Sequence, residues 1–388
     1  MGKDQISQEK KKADFMVKQQ QGYSFKKAYA RIRAHEFENE CYKRGLNFHV
    51  SVGGLDSITL FLFLKSIGID APGISVSSLE DTSIQRMHRA LGIERLGAAK
   101  DDEGVPWTKP RILQEFGFPV ISKETAKKIE ALANPTEKNK GYRHAIVTGQ
   151  TGERGGFKIS KKMKMAQKWL KKFGGYANEV EGTNYDKPDF RVSAKCCYYL
   201  KEKPCDDWAK EHSSVPFIGI MASEGGLRAK GLMVNGCNYF GVHITRSAPF
   251  AIFYRNDLLR LAQEMDKKWK EGWKEEFYQK GVREGYLPEG YEMPESIVPE
   301  IYGEIAERED GSLYTTKAQR TGCSMCGFGI HLEKPPHRFD QLRERNPKEW
   351  RFWMYECCTD ENGQKYGWAK VLEYIGVPYE KGEKPQEE

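Results

Sequence analysis

Gly53, Gly54, Asp56 and Ser57 fall within five residues, between the apolar run "NFHVSV" and the helical pattern "DSITLFLFLKSIGI". Paired glycines let a backbone approach a ligand closely, a serine adds a hydroxyl, and an aspartate can hold magnesium. At a strand–turn–helix junction the free N–H groups and the positive end of the helix dipole point the same way, so such a loop can hold phosphate. The plain alternative is a tight turn between two elements. No Walker lysine follows the glycines, which excludes the P-loop of kinases and GTPases.

Cysteine supplies the second chemistry-bearing set. Nine cysteines in 388 residues is an odd count and too few for a secreted disulfide scaffold. Cys196 and Cys197 are adjacent, and Cys323 and Cys326 form a C-x-x-C. Around one zinc the ligand sulfurs lie roughly 3.8 Å apart, and neighbouring side chains diverge too much to meet that easily. In a 4Fe–4S cube each thiolate takes a different iron, so C-C plus C-x-x-C favours a cluster over zinc. A redox pair, or no metal at all, are the other readings. Cys41, Cys205 and Cys237 stand singly and read as packed thiols. Cys357 and Cys358 form a second adjacent pair, read as two buried thiols at a helix end, with a fourth cluster ligand or a redox thiol as alternatives.

These residues need elements to hold them. The pattern from about 8 to 45 predicts one helix stopped by Gly45. "NFHVSV", "APGISVSS" and "SVPFIGIMAS" read as strands, "DSITLFLFLKSIGI" and "DTSIQRMHRALGI" as helices, and "GFPVISKETAKKIEAL" repeats the pattern of a short apolar run followed by a helix. Alternation of this kind predicts a parallel sheet covered by helices. The stretches at 140–175 and 267–300 interrupt it, the first as a lysine-rich lid or arm with seven lysines between Lys158 and Lys172. Apolar content of 39% and aromatic content of 12% are those of a folded chain. No apolar run reaches the roughly 18 residues of a membrane span, and the charged start lacks a signal-peptide core, so the expected location is the cytoplasm. The net charge of +7 suits a partner bearing phosphates, though it does not demand one.

With these blocks in place, the loop resembles the S-G-G-x-D-S loop of the N-type ATP pyrophosphatases, with Val52 where the family has its first serine and Ser51 one place earlier. From about 28 to 375 the chain resembles the phosphoadenosine phosphosulfate (PAPS) reductase family in its bacterial and phage form. The matching blocks are "VSVGGLDS", "GFPVISKE", "KCCYYLKEKP", "GIMASEGGLR", "NGCNYF", "RSAPFAIFYRNDLL", "IYGEI" and "QRTGCSMCGFGIHLEKPPHRFDQL". The resemblance implies an α/β fold with a Rossmann-like, doubly wound parallel sheet of the adenine nucleotide α-hydrolase type. It implies an N-terminal helix and a C-terminal, cysteine-containing helical region besides. The divisions are then a helical segment at 1–45, a nucleotide-binding domain at 46–256 with a basic insertion near 150–175, a charged insertion at 257–310, a cysteine region at 311–378 and a disordered tail at 379–388.

By the same resemblance Asp56, Ser57 and Arg228 are the catalytic candidates, and Ser51, Gly53, Gly54, Ser75, Ser77 and Glu224 bind nucleotide. On their spacing, Cys196, Cys197, Cys323 and Cys326 are the candidate ligands of a 4Fe–4S cluster, with ATP and magnesium as the other expected cofactors. Glu224 and Arg228 match a family E-S-x-x-R block in which Gly225 replaces the serine. The implied activity is ATP-dependent adenylation of an acceptor coupled to sulfur transfer or a related modification. Acceptor classes include nucleic acid and small metabolites, and a second copy of the chain or a sulfur-donor protein are the partner classes. True sulfonucleotide reductases lack G-G-x-D-S and attack with a C-terminal Glu-Cys-Gly-Leu-His cysteine, where this chain has "YECCTDENG". PAPS reduction is therefore the second reading. A nucleotide- or nucleic-acid-binding regulator with a degenerate loop is the third.

Overall fold

Phe48, His49 and Val50 are buried in succession along β1 (Asn47–Ser51), the pattern of a strand covered on both faces. This is the centre of a sheet that includes β2 (Gly73–Ser75), β3 (Glu94–Arg95), β4 (Ser214–Ile218), β5 (Asn238–Phe240) and β6 (Thr245–Ser247) in the order β3-β2-β1-β4-β6-β5. β1 pairs in parallel with β2 and along its whole length with β4, from Asn47 opposite Ser214 to Ser51 opposite Ile218. Only β5 runs antiparallel, pairing with β6, the next strand in the chain, from Asn238 opposite Ser247 to Phe240 opposite Thr245. The chain is thus a mixed α/β protein with a mostly parallel six-stranded sheet. The computed structural model describes residues 3–381 apart from 77, 79, 153–158, 243, 320 and 324, and omits the side chains of residues 3–6 and 226–228.

The chain divides into two units, one of residues 1–97 and 204–324, the other of residues 98–203 and 325–388. The sheet lies wholly in the first. Its helix Leu55–Ser66 is apolar almost all round, and Ile58, Leu60, Leu62, Phe63 and Leu64 are buried in the core with Val50 and Phe217. Helix Thr82–Ala90 starts at Asp81, whose side chain accepts the Ser83 N–H at 3.0 Å. At the N-terminus the expected single helix is two, Lys3–Gln19 and Tyr23–Lys43, parted around Gly22. The second does stop at Gly45, which takes φ +65° and lets the Leu46 N–H reach the Cys41 carbonyl at 2.9 Å. The charged stretch near 267–300 is no loose insertion: Trp269, Phe277, Leu287, Met293 and Ile297 join the main core of this unit.

The second unit is largely helical, built around Phe118, Phe173, Phe339 and Trp368. "GFPVIS" is not a strand of the sheet. It forms isolated bridges, Phe118 with Val192 and Ile121 with Phe328, before Ser122 caps helix Lys123–Ala133 by accepting the Thr125 N–H. Part of the lysine-rich stretch is also core: helix Gln167–Phe173 buries Trp169, Leu170 and Phe173. The tail is held as far as Glu380, whose N–H donates to Asp340 Oδ1 at 3.0 Å, and residues 382–388 lie outside the described part. No described helix is long and apolar enough to cross a membrane.

Candidate functional site

Parallel strands share one carboxyl edge, and β1 delivers Val52, Gly53 and Gly54 to it. Gly54 is the N-cap of helix Leu55–Ser66, which puts Asp56 and Ser57 in its first turn. The strand order reverses at this point: β2 and β3 lie to one side of β1 and β4 to the other. In an open α/β sheet such a reversal leaves a crevice beyond the strand ends, where the two flanking loops diverge. The loop after β4 begins with Gly219. A Cβ there would stand 2.9 Å from the Asp56 carbonyl oxygen, so only glycine lets β4 pass the first turn of the helix.

The two loop glycines have different reasons. A Cβ on Gly54 would stand 2.2 Å from Tyr302 Oη and 3.0 Å from Thr321 Oγ1, so the packing itself excludes a side chain. A Cβ on Gly53 would meet only Ser57 Oγ at 3.8 Å and Glu80 Oε1 at 3.9 Å, ordinary contacts. Packing does not require glycine at 53.

The donors of the loop are engaged by hydroxyls. Ser57 Oγ accepts the Gly53 N–H at 2.7 Å and donates to the Gly54 carbonyl at 3.0 Å. Tyr302 Oη accepts the Leu55 N–H at 3.1 Å and lies 2.7 Å from Thr321 Oγ1. Burial pushes the Tyr302 phenol above its ordinary pKa, so it stays a neutral hydroxyl. Buried His88 binds the Gly53 carbonyl through Nε2 at 2.7 Å, fixing the loop from behind. Asp56 pairs with Arg255, whose Nη2 also donates to the Gln319 carbonyl at 3.1 Å. Buried Glu80 places a second carboxylate beside Gly53.

The remaining expected residues divide. Ser51 ends β1 half-buried, its Oγ 3.5 Å from His49 Nε2. Ser75 ends β2 beside it, but is buried at 3% exposure. Ser77 lies outside the described residues. Glu224 closes a short turn after β4 that is pinned to the core by the Ala222 N–H on the Ala251 carbonyl at 2.9 Å. Arg228 is in the first turn of helix Gly226–Asn235, and its side chain lies outside the described part. Sequence reasoning missed Arg255, Tyr302, Thr321, Glu80 and His88 as loop partners. The first three sit in or next to blocks singled out by resemblance, but nothing in their spacing aims them at residue 54.

Cys196 and Cys197 form one short helical turn, Lys195–Cys197, in the second unit, to which Cys326 also belongs. Cys323 is near the end of the first unit. Among the described residues no three His, Cys, Asp or Glu side chains gather closely enough to hold a metal ion. Cys357 and Cys358 are both buried where a helical segment ends. The Cys357 thiol donates to the Trp353 carbonyl at 3.3 Å, and its hydrogen bond with Cys358, then burial, raise its pKa far above the ordinary thiol range. No protein-family model matches the chain, and no curated protein or solved structure does.

Proposed function

We propose that the protein is an adenylating enzyme of the ATP pyrophosphatase type, its sheet Rossmann-like and its affinity with the PAPS reductase family. The observation that carries this reading is Gly53. It is a half-buried glycine that packing does not require, at a helix N-terminus on the carboxyl edge where the strand order reverses. ATP phosphates on this loop would take the Gly53 and Leu55 N–H groups, while Ser57 and Tyr302 turn their own O–H groups toward phosphate oxygen. Asp56 with Glu80 would hold magnesium, which prefers one or two carboxylates together with phosphate oxygens and neutralises charge on the leaving pyrophosphate. The acceptor attacks the α-phosphorus, the bond to the α–β bridging oxygen breaks, and pyrophosphate departs with the electron pair. Arg255, released from Asp56, would meet that charge bidentately.

Burial of Cys357 favours adenylation over PAPS reduction, because a reductase needs an accessible thiolate and this thiol is enclosed and hydrogen-bonded. The 4Fe–4S assignment to Cys196, Cys197, Cys323 and Cys326 rests on their types and spacing. About four irons per anaerobically purified chain is its test. Incubation with ATP labelled at the α-phosphate tests the main reading: AMP and pyrophosphate support it, and ADP with phosphate, or no turnover with any acceptor, overturns it.

A further inference from the structure

The second unit holds a cavity of about 890 Å³ lined by Phe116, Lys123, Lys127, Tyr176, Arg191, Lys195 and Tyr198, among others. That volume is within the range of small-molecule sites. Its charges do not cancel. The lining holds four cations and three carboxylates, an excess of one positive charge: Lys123 pairs with Glu202, and Glu115 pairs at 2.8 Å with Arg111, which Asp101 also binds at 2.6 Å. Lys127, Arg191 and Lys195 are left against Glu130, and none of the three cations makes an ion pair among the described residues. Arg191 is held in place by Nη1 donating to the Glu115 carbonyl at 2.8 Å.

The aromatic part of the wall is equally fixed. Phe116 stacks on Tyr199 with centroids 5.3 Å apart and planes at 17°, and Tyr199 stacks on Trp107 at 4.6 Å. Tyr198 stands edge-on to Tyr199 and is 41% exposed, a polar-tipped ring open to a ligand. Cations beside aromatic rings, one of them as exposed as Tyr198, are what binds a phosphate attached to a planar base. An aliphatic anion would leave the rings unused, and a neutral base would leave the excess positive charge unmatched.

We infer that this cavity binds a nucleotide, base against the Phe116 and Tyr198 rings and phosphate against Lys127, Arg191 and Lys195. The ligand is either a free nucleoside monophosphate or one unit of a single strand. The site is independent of the glycine loop and does not rest on the adenylation reading.

Fluorescence anisotropy of a labelled oligothymidylate with full-length protein, titrated at several salt concentrations and then competed with thymidine monophosphate, is the experiment. Lys127→Gln should flatten the salt dependence by about 0.7 in the slope of log K, the share of one phosphate contact on a single strand. Lys127→Gln with Lys195→Gln, or Tyr198→Ala alone, should weaken binding roughly tenfold. Gly53→Val, which fills the glycine loop, should leave it unchanged. Full displacement by the monophosphate marks a mononucleotide site, and displacement only by unlabelled oligomer marks a strand site. Either supports the inference. Absence of binding by both probes, or binding that survives the double lysine substitution with its salt slope intact, overturns it.

Discussion

The two units organise chemistry by different means. In the first, backbone does the positioning: a parallel sheet ends its strands on one edge, a helix starts there, and the loop N–H groups are aimed before any side chain is chosen. In the second, side chains from separate stretches converge without a large sheet, as in the cavity wall of Phe116, Arg191 and Tyr198. A backbone-built site is announced locally, by glycines at a strand–helix junction. A side-chain-built site is announced nowhere in particular, because its members meet only after the chain has folded. If this contrast is sound, perturbations should sort by unit.

The largest effect belongs to Asp56. Asp56→Ala should lower AMP formation about 10²–10³-fold or more, the scale of losing a group that stabilises transition-state charge. Unfolding should move little, since the Arg255 pair is partly exposed and worth under about 1 kcal/mol. Cys357→Ser with Cys358→Ser should do the reverse. Both positions are buried, so melting falls by a few degrees or more while AMP formation per folded molecule persists. AMP formation and thermal melting measured on both variants decide it. Sulfite release from PAPS, lost in the double-serine protein, would transfer the chemistry to the second unit and break the comparison.

Next in size is acid sensitivity of the sheet. His49 is buried in β1, its Nδ1 2.7 Å from Ser214 Oγ, and burial, with His212 nearby, pushes its pKa down to about 4. The unfolded chain therefore takes up a proton near pH 6.5 that the folded chain refuses until about pH 4. Stability falls as pH drops through that window, by about 3 kcal/mol at most. Denaturant unfolding from pH 7.5 to 4 should show the slope in the wild type and lose most of it in His49→Gln. An equal slope in both would remove His49 as the cause.

How legible each unit was in the sequence follows from the same contrast. β1, β2, β4 and the helices Leu55–Ser66 and Thr82–Ala90 were readable because buried strands and helices leave period signals within ten or so residues. The loop itself was readable for the same reason. Its partners were not: Tyr302 reaches residue 55 across 247 positions, and a lone tyrosine in "IYGEI" carries no mark of that contact. The second unit was hidden by its order in the chain. Residues 98–203 complete their core with 325–388, so a linear reading takes the lysine-rich stretch as a lid or arm, although Trp169 and Phe173 are core. The charged stretch near 267–300 misled through its surface residues, while its five core side chains are spaced too widely to show one period.

A smaller effect sharpens the account of the loop. Gly54→Ala forces a methyl against the Tyr302 hydroxyl and should cost roughly 1–3 kcal/mol. Tyr302→Phe alone loses two hydrogen bonds and should cost about 1–2 kcal/mol. With the hydroxyl gone, the nearest ring atom to the new methyl is the Tyr302 Cζ position at 3.5 Å, an ordinary contact. The double variant should thus be more stable than the sum of the singles implies, with a coupling of about 1 kcal/mol or more in a denaturant double-mutant cycle. Additive costs would mean that the tyrosine does not set the choice of glycine at 54.

The smallest effect runs opposite in sign to His49 and lies in the second unit. His144 donates toward Glu181, with Nδ1 2.9 Å from Oε2, and its Nε2 is 3.1 Å from Gln150 Oε1. The hydrogen bond to Gln150, then that to Glu181, raise its pKa above the ordinary histidine value. A raised histidine binds its proton more tightly folded than unfolded, so it adds stability at pH below the unfolded value and loses it as pH rises through the folded one. The side chain is 42% exposed, so solvent screening holds the gain to about 0.5 kcal/mol. His144→Gln should then destabilise slightly at pH 5.5 and not at pH 9, where His49→Gln still costs its packing. Denaturant midpoints for the two variants at the two pH values make the comparison. If His144→Gln costs as much at pH 9 as at pH 5.5, its role is packing rather than charge, and the opposed acid responses of the two histidines disappear.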